Sequence, residues 1–163
     1  MKNEEKRIIS KIRLLRDEKK AAILMRFFKT GKREYGEGDF FWGVNVPQMK
    51  KIACGEVNTD FLTLKNLLKN RVHEIRFTAL QIMNMKYAKF PGSRDEIYGL
   101  YLDSTDRINN WDLVDCSCYK IIGEHLLNRN RDVLYALAES KSLWEKRISI
   151  VSTYRFIQNR EYK

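Results

Sequence analysis

Apolar residues recur at helical spacing along most of this chain. Ile8, Ile12 and Leu15 lie three or four positions apart, which predicts an amphipathic helix near the start. No segment alternates apolar and polar residues between hairpin turns, so strands are not expected. The pattern predicts an all-α fold with helices in these stretches: RIISKIRLLRDEKK, KKAAILMRFFKT, PQMKKIACG, NTDFLTLKNLLKN, RVHEIRFTALQIMNMKYAKF, GSRDEIYGLYLDSTDRI, NNWDLVDCSCYKIIGEHLLN, NRDVLYALAES and SLWEKRISIVSTYRFIQ.

Interruptions in the pattern predict the loops and the helix starts. Three glycines fall close together between residues 31 and 38, which indicates a loop after the second helix. Pro47 suits the first turn of the third helix, where its missing N–H costs little. Asn58 or Thr59 is expected to cap the fourth helix.

Three helical segments resemble one another. HEIRFTAL, WDLVDCS and WEKRISIV begin at residues 73, 111 and 144, and each follows a shorter predicted helix. HEAT-type helical hairpins repeat with about this period and stack into a curved α-solenoid with a concave face. We therefore expect HEAT-like repeats whose inner helices line one groove with Arg76, then Trp111 and Asp115, then Trp144 and Arg147.

Composition supports a single helical domain. The chain has 163 residues, 44% of them hydrophobic, and only two prolines and eight glycines. That is enough for one core, so we expect one repeat domain over residues 1–163, as a monomer. No run of about 18 apolar residues is present, and the charged start MKNEEKRIIS lacks an apolar signal core. These features predict a cytoplasmic protein without a membrane span.

Charge is distributed unevenly along the chain. The net charge is +10, and residues 1–33 and 141–163 contribute +8 and +4, whereas residues 34–140 sum to −2. Basic ends around a near-neutral middle suit an extended polyanion better than a small acidic metabolite. The alternative is an ordinary solvated surface, so charge alone does not decide for nucleic acid.

The cysteines and histidines do not form a metal-binding pattern. Cys54, Cys116 and Cys118 are an odd count without framework spacing, and positions two apart on a helix point to different sides. His73 and His125 stand alone in the sequence. We therefore expect neither a metal site nor a cofactor.

Trp111 and Asp115 are the first candidates for chemistry. Residues four apart share one face of a helix, so the indole and the carboxylate are expected to lie together. Asp115 could instead be a first-turn acid that complements the helix dipole, and Trp111 could be ordinary core packing. Because Asn110 suits the cap and Asp112 the first turn, Asp115 is late for the structural role.

Alternatives also exist for the other candidates. Trp144 could pack at a helix start rather than line a site, and Arg147 could bind a phosphate or pair with Glu145 or Asp115. The loop EYGEGD lacks metal-ligand spacing, so a turn of the chain is favoured over a metal site there. Core packing is favoured over base stacking for an aromatic stripe formed by Phe27, Phe28, Phe40, Phe41 and Trp42.

Five stretches, in this order, resemble the AlkD-like DNA glycosylases, the HEAT-repeat DNA alkylation repair family. They are RFFKTG, YGEGDFFWGVNVPQMKKIA, EIRFTALQIM, NWDLVD and LWEKRISIVSTYRFI. The resemblance runs from residue 26 to the last residues, and YGEGD…GV..P together with WDLVD is its most specific part.

The resemblance implies an all-α solenoid that wraps duplex DNA in a basic concave groove. It also implies hydrolysis of the N-glycosidic bond of cationic alkylated purines, such as 3-methyladenine and 7-methylguanine, without metal or cofactor. The family's Trp–Asp pair matches Trp111 and Asp115, and its arginine in the following repeat matches Arg147. Its second-helix aromatic corresponds to Phe27, where some members have tyrosine.

These residue types suit that chemistry. Alkylation at a purine ring nitrogen makes the base a better leaving group, and C–N cleavage leaves positive charge on the deoxyribose. A carboxylate near the sugar stabilises this charge and orients water. An indole attracts a cation by about 0.5–2 kcal/mol, and arginine grips a phosphate in a planar, charged way.

The chain is shorter than the family commonly is, and we expect it to lack the C-terminal repeats that carry another groove tryptophan. Two other functions remain open on sequence grounds. One is a non-catalytic helical-repeat module that binds DNA, and the other is a protein–protein scaffold, a common use of helical repeats.

Overall fold

The computed structural model describes residues 3–160 and confirms that the chain is helical. Ten α-helices are present in that range: α1 (Asn3–Arg13), α2 (Glu18–Phe27), α3 (Val46–Gly55), α4 (Phe61–Leu68), α5 (His73–Lys89), α6 (Arg94–Leu102), α7 (Trp111–Asp115), α8 (Asp132–Glu139), α9 (Leu143–Ser152) and α10 (Tyr154–Gln158). Short 3₁₀ turns cover Pro91–Ser93 and Thr105–Arg107, and a π-helical turn covers Tyr119–Gly123. Outside the helices, the described residues contain an isolated bridge between Phe40 and Val72. Of the helices described, none has the length and apolar character needed to cross a membrane.

The chain divides into two compact units, Met1–Lys86 and Tyr87–Lys163, and α5 runs across the boundary. The expected single domain over residues 1–163 stays a prediction, and its first two and last three residues lie outside the described range.

The helix starts follow local chemistry, with one correction to the expected caps. Pro47 lies in the first turn of α3, as predicted, behind a capping box formed by Asn45 and Gln48. The cap of α4 is Asp60, whose carboxylate accepts the Thr63 N–H at 2.7 Å. The prediction of Asn58 or Thr59 was wrong, because the Thr59 hydroxyl donates back to the Glu56 carbonyl at 2.7 Å.

The expected continuous helix over residues 109–128 is interrupted. Helix α7 ends after five residues, and a π-helical turn follows at Tyr119–Gly123. The Ser117 hydroxyl donates to the Leu113 carbonyl at 2.5 Å, so it competes with the backbone for that acceptor. Gly123 then lies so close to α9 that a Cβ there would be 2.4 Å from the Ser152 carbonyl oxygen.

In the first unit, α1 packs on α3 and α4 through its apolar stripe. Ile8 and Ile12 are fully buried, which confirms the predicted face. Beside them Glu56 accepts hydrogen bonds from Arg7 at 2.5 Å and Lys11 at 2.6 Å. Burial acts to raise the pKa of Glu56, but the bonds from Arg7 and Lys11 outweigh it and lower the pKa below its ordinary value. The pair therefore holds an ionised carboxylate at this helix junction.

The first turn of α5 fixes the loop that joins α2 to α3. Glu74 is 1% exposed, and its carboxylate accepts the backbone N–H groups of Trp42 at 3.0 Å, Gly43 at 2.7 Å and Val44 at 3.3 Å. A buried carboxylate that accepts several backbone donors forms charge-assisted bonds, which are stronger than neutral ones. The loop with the three glycines is therefore tied to α5 by one side chain.

A second group of contacts anchors the same loop to the first turn of α5. Asp39 accepts a hydrogen bond from Arg76 at 2.5 Å and lies 3.0 Å from Nδ1 of His73. The ring of Phe41 stacks on His73 with 4.3 Å between centroids, and Phe28 stacks on Phe41 at 5.0 Å. The segment YGEGDFFWGV is thus anchored to α5 through its buried residues Asp39, Phe41 and Gly43.

Glu74→Gln is expected to lower the free energy of unfolding by about 2 kcal/mol, because the bonds lose their charge assistance and an amide N–H₂ faces the Trp42 N–H. Urea unfolding of the purified protein measures this. Glu18→Gln is the matched control, since the Glu18 side chain is 86% exposed and pairs only with Arg16 at 3.2 Å in a surface bridge. Equal stability of the two variants would show that the Glu74 carboxylate does not hold the loop.

In the second unit, α9 is the central helix. It packs on α8, on α7 and on the π-helical turn Tyr119–Gly123. Leu113 and Val114 of α7 and Ile148 of α9 are fully buried between these elements. This packing fixes the register of α7 against α9, and the two helices carry most of the residues that the sequence singled out.

Candidate functional site

Helix α7 begins at a buried polar cap. Asn110 is extended, with φ −151° and ψ 154°, and its side chain accepts the Trp111 N–H at 2.8 Å, as the sequence predicted for the cap. The next residues Leu113 and Val114 face the core. Trp111 and Asp115, four apart, are both half-buried at the edge of this packing. A five-residue helix therefore presents the indole at its start and the carboxylate at its end.

Helix α9 presents a cation toward that carboxylate. Its cap is Ser142, whose hydroxyl accepts the Glu145 N–H at 3.4 Å. Ile148, Ser149 and Ser152 are its buried residues. Arg147 lies beside this buried face, with 42% of its side chain exposed.

Arg147 and Asp115 form a two-pronged ion pair. Nε of Arg147 donates to Oδ1 of Asp115 at 2.7 Å, and Nη2 donates to Oδ2 at 2.6 Å. The bonds to Asp115 raise the pKa of Arg147 above its ordinary value. Of the two partners considered for Arg147, the structure selects Asp115, which is 32 positions away in sequence.

This geometry leaves both partners able to bind something else. A carboxylate oxygen accepts up to two hydrogen bonds, and Arg147 supplies one to each oxygen of Asp115. A guanidinium has five N–H donors, of which Asp115 takes two. The site therefore combines an oriented carboxylate with a cation that has donors left for an anionic group.

The family model described as DNA alkylation repair enzyme matches residues 8–163 of this chain. The chain belongs to that family. Neither the curated proteins nor the solved structures gave a significant match.

Membership in the DNA alkylation repair enzyme family confirms the resemblance found in the sequence and supports a role in the repair of alkylated DNA. Duplex or other DNA is the partner that this role indicates. The matched residues include both helices of the ion pair, so the Asp115–Arg147 pair lies within the matched part of the chain.

Trp111 and Trp144 occupy corresponding places in the second unit of this member of the DNA alkylation repair enzyme family. Trp111 starts α7 one helical turn before Asp115, and Trp144 lies near the start of α9 one turn before Arg147. Both indoles are half-buried. The structure thus places each tryptophan on the same helix as one member of the ion pair, and their roles in catalysis and DNA contact stay predictions.

The other two candidate DNA contacts belong to the first unit. Phe27 ends α2 and is 62% exposed, whereas Phe28 and Phe41 are 7% and 2% exposed. The core assignment of the aromatic stripe is therefore confirmed for Phe28 and Phe41 and wrong for Phe27 and for Phe40, which is 39% exposed. Arg76 is 3% exposed and bonded to Asp39 and to the Asn70 carbonyl, which favours a structural role, and its contact with DNA stays a prediction.

The thiol of Cys118, on the segment that follows α7, is held in its neutral form. Burial raises the pKa of Cys118 to about 12, and its thiol is fully buried. No group of three or more His, Cys, Asp or Glu residues among the described positions is arranged to hold a metal ion.

Sequence reasoning missed Glu145, Ser140 and Thr105. Ser142 followed by Glu145 three positions later is a capping signature. The sequence therefore indicated only a local role for Glu145 at the start of its helix. In the structure the Glu145 carboxylate instead accepts the Thr105 hydroxyl at 2.7 Å and the Ser140 hydroxyl. These bonds become visible only when segments 40 positions apart are brought together.

Proposed function

We propose that this protein is a monofunctional DNA glycosylase that hydrolyses the N-glycosidic bond of cationic alkylated purines, of the 3-methyladenine and 7-methylguanine type, in duplex DNA. The observation that supports this is the two-pronged Asp115–Arg147 ion pair, with Trp111 one turn before Asp115. An acidic group would ordinarily repel DNA. Its retention here, in a chain of net charge +10, is explained by a substrate that becomes positively charged at its sugar.

Asp115 is assigned to stabilise the oxocarbenium-like sugar and to orient the attacking water. Because Arg147 holds the carboxylate in one orientation, the remaining acceptor positions of Asp115 are fixed in space before substrate arrives. Preorganised charge of this kind costs no rearrangement at the moment of bond cleavage. The water adds to C1′ and loses a proton, and the purine leaves with the bonding electron pair that neutralises its ring charge.

Arg147 is assigned to bind a phosphate next to the lesion. Arginine suits this because its planar donors match phosphate oxygens, and more than half of its donors remain after Asp115 has taken two. Trp111 and Trp144 are assigned to pack on the sugar and backbone, where an indole face attracts developing positive charge. Phe27 is assigned to an aromatic contact with DNA because of its exposure.

We further propose that the helices form HEAT-like repeats of an α-solenoid, acting as a monomer. In three successive places a helix of eight or nine residues precedes the helix that begins a repeated segment: α4 before α5, α6 before α7, and α8 before α9. This alternation has the period of helical-hairpin repeats. No metal or cofactor is needed for the proposed reaction.

The test is release of free base from a duplex that contains one 7-methylguanine. The purified protein is expected to release the base and leave an alkali-labile abasic site, and an unmodified duplex is expected to release nothing. Strongly salt-dependent DNA binding without release would favour the non-catalytic module instead. Negligible affinity for DNA, together with no release, would favour the protein–protein scaffold.

A further inference from the structure

We propose that Glu145 is a positioning residue that sets the geometry of the Asp115–Arg147 pair by joining the start of α9 to the segment that leads into α7. This inference rests on the proposed function for its catalytic readout. It concerns a residue that touches neither Asp115 nor Arg147 through its carboxylate, and therefore acts through the helices that carry them.

The Glu145 carboxylate is diverted from its usual local task. In a capping box the third-position glutamate accepts the backbone N–H of the cap residue. Here the Ser142 N–H donates to the Ser140 hydroxyl at 3.0 Å, and Ser140 in turn donates to Glu145. Because Ser140 accepts the Ser142 N–H, the Glu145 carboxylate is not needed for that bond. Its second oxygen, Oε1, accepts the hydroxyl of Thr105 at 2.7 Å.

Thr105 belongs to the segment that places α7. It begins the 3₁₀ turn Thr105–Arg107 and is 9% exposed, and the following Ile108 and Asn110 are fully buried. Asn110 then caps α7. The Thr105–Glu145 bond therefore joins the entry of the Asp115 helix to the first turn of the Arg147 helix, 40 positions along the chain.

Glu145 and Arg147 make their contacts on different sides of α9. Residues two apart on a helix do not face each other, so Glu145 points to Thr105 while Arg147 points to Asp115. The Ser140 and Thr105 hydroxyls lower the pKa of Glu145 below its ordinary value, so the carboxylate remains charged at neutral pH. The result is two parallel polar links between the segments, one structural and one at the site.

A shift of α7 relative to α9 would first change the Asp115–Arg147 ion pair. Its two hydrogen bonds, of 2.7 Å and 2.6 Å, both depend on the relative position of these helices. Misplacement of a catalytic group by about 1 Å can cost on the order of 100-fold in rate. If the Thr105–Glu145 bond is lost while the protein stays folded, the rate of base release should therefore fall more than the stability does.

The test uses three variants, with single-turnover base release from a 7-methylguanine duplex and thermal unfolding as readouts. Thr105→Val removes the hydroxyl and keeps the shape, and it is expected to slow release about tenfold. Thr105→Ser restores the hydroxyl and is expected to recover most of the rate. Ser142→Ala removes only the local cap, so it is expected to cost about 1 kcal/mol of stability and leave the rate unchanged. Equal rates for Thr105→Val and Ser142→Ala would overturn the proposal.

A double-mutant cycle with Arg147→Lys separates positioning from general destabilisation. If Glu145 acts through Arg147, Thr105→Val has little further effect on the rate in the Arg147→Lys background, whereas independent effects multiply and contradict the proposal. If the wild-type protein releases no base, the proposed function fails. The same four proteins are then compared by their Kd for unmodified duplex. If Thr105→Val does not fold, Glu145→Gln replaces it in both measurements.

Discussion

Asp115→Asn is expected to reduce base release by roughly 100- to 1,000-fold, the range seen when one preorganised electrostatic group is removed from an active site. Asparagine has nearly the shape of aspartate but no charge, so it keeps one acceptor and loses the stabilisation of the cationic sugar. It also presents N–H₂ to the Arg147 guanidinium in place of one oxygen. The measurement is the single-turnover rate on a 7-methylguanine duplex at saturating protein.

Stability should change far less than the rate. The side chains of Asp115 and Arg147 are 32% and 42% exposed, and partly exposed pairs contribute at most about 1 kcal/mol. A rate loss of 100-fold corresponds to about 2.7 kcal/mol in the activation barrier. The catalytic role therefore predicts a large rate effect in a protein that melts nearly like the wild type.

Asp132→Asn is the matched control, because it makes the same chemical change on an exposed residue of the same unit, where Asp132 bonds to the neighbouring Asn130. It is expected to leave base release unchanged. An Asp115→Asn protein that is as active as Asp132→Asn would remove Asp115 from the mechanism. A loss of activity that tracks a loss of folded protein would reduce Asp115 to a structural role.

The sequence predicted which helices exist better than it predicted where they stop. The apolar spacing around Ile8 and Ile12 and the cap at Asn110 are local features, and both are confirmed. The end of α7 is not local. It depends on Ser117 bonding to a backbone carbonyl and on Gly123 approaching α9, and neither contact can be seen in a hydrophobic pattern.

The candidate site shows the same division. Helical spacing placed Trp111 and Asp115 on one helix, and the family resemblance added Arg147. Only the folded chain shows that Arg147 binds Asp115 rather than Glu145. Glu145 is near Arg147 in the sequence, whereas Asp115 is 32 positions away and comes close only on folding. Glu145 itself was hidden, since its partner Thr105 is 40 positions away.

The segment YGEGDFFWGV, one of those that resemble the family, has a structural role in the first unit. Its glycines predicted a turn, and the structure shows in addition that Glu74 and Asp39 tie it to α5. Arg76 takes part in this contact as a partner of Asp39, and its role as a DNA contact stays a prediction. The segment's motif is thus explained by the way the first unit is held together, and Gly43 is its most constrained position.

Gly43→Ala is expected to destabilise the protein by about 4 kcal/mol or more, the range of exceptional core defects. Gly43 has φ +81°, a conformation that costs other residues about 1–2 kcal/mol. A Cβ would also lie 2.1 Å from the Asp17 carbonyl oxygen and 2.7 Å from the Ala21 nitrogen. That oxygen accepts the Ala21 N–H at 2.9 Å, so the substitution disturbs the start of α2.

Backbone movement cannot relieve this overlap cheaply. The Gly43 N–H is held by Glu74 at 2.7 Å, and the preceding Trp42 carbonyl accepts the Asp17 N–H at 2.8 Å. Moving the loop away from α2 would break both bonds, and a buried charged acceptor that loses its donors costs more than a neutral one. Strain, overlap and the loss of bonds therefore act together at a single position.

Two other glycines of the first unit separate these contributions. Gly38 has φ +87° but nothing within 4 Å of a Cβ, so Gly38→Ala is expected to cost only the 1–2 kcal/mol of backbone strain. Gly55 at the end of α3 has neither the strain nor a neighbour, and Gly55→Ala is expected to be neutral or slightly stabilising. Urea unfolding should rank the variants in that order. If Gly43→Ala were no less stable than Gly38→Ala, the contact between the Trp42–Gly43 segment and the start of α2 would not be tight, and the role of Glu74 as the clamp of this loop would have to be abandoned.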